Sequence, residues 1–155
     1  MQVCHRRSMT GFWWLGLLAI LTCTTSQSAP ALQTGLNGTW WNAEQDGQGF
    51  VIHVIPEANQ VFLAWFTFAP SGGEQLWLTG SGTLEQMPVE LELTLTRGGA
   101  LNAPQPATTT EQWGTATLRF DTCTAGNFSF DGQASGSIEI TRLTPVVSCD
   151  EGTGR

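Results

Sequence analysis

The chain has 155 residues, with thirteen carboxylates, six arginines and no lysine, a length that fits one ordinary domain. Arg6 and Arg7 belong to an N-terminal leader, which leaves four arginines against thirteen carboxylates, a net charge of about −9. Such a surface repels phosphate backbones and anionic lipid, so nucleic acid is excluded as a partner class. Plentiful aromatic and aliphatic residues with sparse charge argue against disorder.

Residues 1–31 read as a secretory signal peptide. Arg6 and Arg7 supply the positive start, and Gly11 to Leu21 supplies an apolar run well short of the roughly 20 residues that span a bilayer. No transmembrane segment is expected. Ala29-Pro30-Ala31 offers a cleavage site, with Ser26-Gln27-Ser28 as an earlier one. In the alternative, Ile20-Leu21-Thr22-Cys23 acts as a lipobox and Cys23 anchors the protein as a lipoprotein. Export to the periplasm or beyond the cell is the expectation on either route. Cleavage leaves roughly 120–125 residues, enough for a hydrophobic core.

Eight strands follow, at 38–42, 48–56, 60–69, 74–85, 89–97, 112–122, 128–130 and 137–143, bounded by Gly, Pro, Asn or Asp. Gly80 and Gly82 are expected to mark a bend or bulge in the fourth. The fifth alternates most cleanly, with Val89, Leu91, Leu93 and Leu95 on one face and Glu90, Glu92, Thr94 and Thr96 on the other. Residues 98–110, with Pro104, Pro106 and a Thr run, read as the longest loop. The sixth strand puts Ala116, Leu118 and Phe120 inward. No segment sustains a 3.6-residue period or a βαβ alternation. The expected fold is all-β: one antiparallel eight-stranded up-and-down barrel over residues 32–145, with a two-sheet sandwich as the runner-up. Residues 146–155 form a C-terminal tail. Cys123 and Cys149, in an exported chain, are expected to form a disulfide tying that tail down, worth on the order of 3 kcal/mol.

On the last strand Arg142 shares a face with Ile138 and Ile140. If the barrel closes, Trp40 on the first strand becomes its neighbour and the guanidinium stacks on the indole; otherwise the arginine reaches water from the strand end.

Two resemblances bear on these residues. The Gly38-x-Trp40 opening with a late arginine resembles the signature of calycins, the lipocalin and avidin-like barrels. More of the chain, from Gly38 to Cys149, is similar to a β-rich domain of secreted bacterial proteins. Its pattern is G-x-W-[YW]-N, G-x-G-F, W-[YF]-T-[YF], a Trp, G-T-A-x-L-x-F, a Cys and G-S-[IL]-x-[IL]-x-R-L. Here these are Gly38–Asn42, Gly47–Phe50, Trp65–Phe68, Trp77, Gly114–Phe120, Cys123 and Gly136–Leu143. The resemblance implies fold and export and carries no catalytic residues. Trp41, Phe66 and Phe68 stand where that family often has tyrosine.

Catalytic chemistry is thinly supplied. His53 is the one histidine after the leader, and no G-x-S-x-G, H-E-x-x-H or phosphate loop accompanies it. A non-enzymatic protein is expected, a small hydrolase using His53 being the third reading. Glu44 and Asp46 read as turn formers, with weak calcium ligation as the alternative; no metal or cofactor is expected. The aromatics say more. Trp65 shares a face with Val61 and Leu63, while Phe62, Phe66 and Phe68 share the other, so one set fills the barrel and the other coats it. Trp40, Trp41, Trp65, Phe66, Trp77 and His53 are the candidate ligand-binding residues. Their expected partner is a neutral or cationic small ligand, a glycan or a peptide. The alternative is an accessory module that docks on another exported protein. A deep aromatic pocket favours the first and a flat patch the second.

Overall fold

The computed structural model describes residues 34–85, 87–102 and 107–149; the leader with its cleavage sites and Cys23 lies outside them. Eight strands form one antiparallel sheet: β1 (Gly38–Trp41), β2 (Gly49–Ile55), β3 (Gln60–Phe68), β4 (Gln75–Thr83), β5 (Val89–Gly98), β6 (Thr108–Phe120), β7 (Ala125–Gly132) and β8 (Ser135–Arg142). Each strand pairs with its sequence neighbours, and β8 returns to β1, so the sheet closes. It is one closed sheet rather than two. The closing seam is short, with Trp40 opposite Arg142 and Trp41 opposite Thr141. Leu143 N donating to Thr39 O (2.9 Å) and Asn42 Nδ2 donating to Glu139 O (2.9 Å) lengthen it.

Alternation decides what lies inside. On β5 Val89, Leu91, Leu93 and Leu95 are buried and Glu90 and Glu92 face water. On β3 Val61, Leu63, Trp65 and Thr67 point inward, while Phe62, Phe66 and Phe68 are exposed. The interior is filled by rings rather than hollow. Trp65 meets Phe128 at 5.0 Å, Phe130 at 4.9 Å and Trp113 at 5.8 Å between centroids, and Phe50 meets Phe128 at 4.8 Å. Edge and tilted contacts of this kind add to the burial of so much apolar area.

Three expectations need correction. The β3–β4 register runs unbroken through Gly80 and Gly82, so no bulge lies there between those two strands. These glycines permit close approach instead: a Cβ at Gly82 would collide with the Glu90 carbonyl, and one at Gly80 would come 3.0 Å from Leu93 Cδ2. The register shift falls in β6, where Leu93 pairs with Gly114 and Thr94 with Gln112, leaving Trp113 as the extra residue. Second, the Thr run does not loop out: Thr108 to Thr110 pair with Gly98, Arg97 and Thr96. Third, β7 has eight residues rather than three. Gly126, a turn former by propensity, is required in the strand because a side chain there would strike the Arg119 carbonyl. Sheet context overrides propensity.

The two ends of the barrel differ. At one end a 3-10 turn, Thr34–Leu36, carries Leu36 fully buried into the core. The expected disulfide between Cys123 and Cys149 is formed at the same end. It ties the tail to the β6–β7 turn. The β1–β2, β3–β4, β5–β6 and β7–β8 connections lie at the other end, which among the described residues is an open mouth.

Candidate functional site

The six candidate residues separate into three places. Trp41, Phe66 and Trp77 lie outside, in one row across the strands. Phe66 pairs directly with Trp77, their rings 5.5 Å apart and tilted by 31°. Gly49 pairs with Phe66 on its other side, and a Cβ there would come 3.8 Å from Trp41 Cβ. Trp41 is half-buried, whereas Phe66 is 42% and Trp77 62% exposed. Val51, Phe62 and Phe68 extend the apolar surface along β2 and β3. His53 is exposed on this same face, opposite Phe62.

Trp65 and Trp40 lie inside, at different levels. Trp40 is at the closed end, with its Nε1 donating to Leu36 O at 3.2 Å and its ring 5.0 Å from Phe120. The Arg142 Cζ sits 5.5 Å from the Trp40 centroid, within cation–π range. The guanidinium also donates to three backbone carbonyls, those of Gly35 (2.5 Å), Asn37 (2.6 Å) and Thr144 (3.0 Å). Desolvation lowers the Arg142 pKa below the ordinary arginine value, yet an arginine stays charged at neutral pH. It acts as a clamp between the end of β8 and the segment that precedes β1.

Trp65 faces the mouth. A cavity of about 310 Å³ opens there, lined by Gln45, Gln48, Trp65, Thr67, Trp113 and Phe130 among others. Among the described residues its walls carry no charged side chain. The Thr67 hydroxyl donates to Gln48 Oε1 (2.8 Å) and Gln48 Nε2 donates to Gln45 Oε1 (3.0 Å). Trp113 and Phe130 are residues the sequence reading did not single out. Counting back from Thr115 and Thr117 by strict alternation places Trp113 outside; the bulge turns it in.

The rest of the outer surface is of another kind. On β4 to β8 it carries hydroxyls and carboxylates, joined across strands as Thr79 to Thr94 (2.8 Å), Ser129 to Ser137 (3.1 Å) and Asn127 to Glu139 (2.8 Å). A shallow trough of about 630 Å³ runs past Ser81, Thr83, Glu90, Glu92, Thr115 and Thr117. Arg97 bridges Glu74 (3.1 Å) and Glu111 (3.4 Å) in the open, and these hydrogen bonds, Glu74 first, raise its pKa. Asp46 accepts from Gly47 N. Among the described residues no group of His, Cys, Asp and Glu is placed to hold a metal ion, and no helix is long and apolar enough to cross a membrane.

No family model, no curated protein and no solved structure matches the chain.

Proposed function

We propose that this is an exported, non-catalytic binding protein, a calycin-like up-and-down barrel that holds a neutral glycan surface on its outer aromatic row. The observation that carries the reading is the Phe66–Trp77 pair, two adjacent rings left open to water on a regular sheet face. Exposed apolar patches of this sort mark interaction sites. Ring faces carry negative quadrupole density, which suits the C–H face of a neutral pyranose. The net charge of about −9 after the leader disfavours anionic polymers. Export rests on the leader from Arg6 to Ala31 and accords with the disulfide.

The test is retention of the mature, oxidised protein on insoluble neutral polysaccharides, cellulose and chitin. Wild type is expected to be retained. Trp77→Ala and Phe66→Ala are expected to bind roughly tenfold more weakly or worse with unchanged thermal stability. Equal retention of both variants would end the reading. A second reading, docking on another exported protein, is favoured by Val51, Phe62 and Phe68, which widen the patch beyond the stacked pair. Failure on glycans together with a defined complex lost in Phe62→Ala would select it. His53→Ala is expected to leave binding unchanged, and loss of a hydrolytic activity in that variant would restore the third reading.

A further inference from the structure

We infer that the open mouth of the barrel is a second binding site, for a small neutral ring-shaped molecule carrying at least two acceptor oxygens. Four observations converge on it. Trp65 and Trp113 both line the mouth cavity. Both are almost fully buried, 3% and 4% exposed, and their indole N–H groups have no hydrogen-bond partner among the described residues. A buried donor left unmatched is destabilising, and two of them just behind one cavity wall ask for an acceptor from outside. Trp113 reaches the mouth only because β6 carries a bulge at that residue, and bulges commonly re-aim side chains next to functional sites.

The remaining walls set the chemistry. Phe130 and the indole rings provide an apolar surface, and Gln45, Gln48 and Thr67 a polar edge. Thr67 lies two residues beyond Trp65 on the same inward face, so its hydroxyl and the joined glutamines stand between the indoles and solvent. A ligand exchanges its oxygens for that glutamine chain, and the indole donors, themselves closed off from solvent beneath it, become reachable only with that exchange. The described wall residues carry no charge and so select a neutral molecule, since an ion would be desolvated without a counter-charge. At about 310 Å³ the cavity is at the lower limit for ligand sites, room for one ring and not for a chain. The site is separate from the outer row, although Phe68 borders both.

The experiment follows the indole Nε1–H resonances of ¹⁵N-labelled mature protein, assigned by Trp→Phe substitution at each position. Two probes are titrated: N-acetylglucosamine, and the cyclic dipeptide cyclo(Gly-Pro). At least one is expected to move the Trp65 and Trp113 resonances downfield and saturably, leaving Trp40 in place. The probe that does so identifies the ligand as sugar-like or peptide-like. Thr67→Val is expected to weaken binding about tenfold, because the hydroxyl that the exchange frees from Gln48 is no longer there to donate to the ligand. Trp113→Phe is expected to abolish saturation; should it fail to fold, Thr67→Val decides alone. Movement of Trp77 only would assign the probe to the outer row and overturn the mouth site. So would no response to either probe, or resting Trp65 and Trp113 resonances shifted upfield by N–H donation into neighbouring rings.

Discussion

The two ends of this barrel are built from the same residue types to opposite effect. At the closed end Trp40 Nε1 donates to Leu36 O, Arg142 is shared by three carbonyls, and Asn37 Oδ1 accepts from Val54 N at 2.5 Å. Of the polar side chains described there, only the Thr144 hydroxyl is buried without a partner. At the mouth two indoles of comparable burial have no acceptor among the described residues. Buried polar groups are nearly always matched. An end where they are matched serves stability, and an end where they are not is held for something else.

The disulfide variant should show the largest effect on this contrast. Cys123→Ala with Cys149→Ala opens a link between residues 26 apart, worth about 3.5 kcal/mol in the chain-entropy picture. Urea unfolding should register that loss, while the indole resonances of Trp65 and Trp113 stay where they were. Arg142→Ala comes next. It frees three carbonyls and the Trp40 face, for a loss of about 3 kcal/mol. Arg142→Lys should recover less than half of it, because an ammonium cannot fork to three acceptors as a guanidinium does. Either variant unfolding at the wild-type midpoint would mean that the closed end is not where stability is concentrated.

How much of this could be read from the residues depends on what each feature needs. The inward faces of β3 and β5 were legible because a period of two is written into one strand alone: Val61, Leu63 and Trp65, or Val89 to Leu95. The outer aromatic set followed from the same count. That Trp41, Phe66 and Trp77 make one row was not legible, since it requires knowing which strands pair and in what register. Trp113 was hidden for a related reason. A bulge is a mismatch between two strands, and one strand viewed alone carries no trace of it beyond Gly114 beside the tryptophan. Pro104 and Pro106 misled at 108–110, where the Thr run is strand after all, and propensity misled in β7, where Gly and Asn occupy sheet positions fixed by their neighbours. The mouth could not have been found from pattern at all, because its walls come from β3, β6, β7, β8 and three connections.

The smallest effect is the sharpest test of the comparison. Trp40→Phe, Trp65→Phe and Trp113→Phe each delete the same atoms from an almost fully buried indole, so the transfer loss of the three is comparable. They differ in the polar balance. Trp40→Phe removes a donor that has its acceptor and leaves the Leu36 carbonyl unmatched. Trp65→Phe and Trp113→Phe remove donors that have none among the described residues, which relieves a desolvation penalty instead of creating one. Trp40→Phe should therefore be more destabilising than either of the others by about 1 kcal/mol, read as a lower urea midpoint at constant slope. Equal losses at all three positions would mean that the mouth indoles are already satisfied, and with that the distinction between the two ends, and the case for a ligand at one of them, would go.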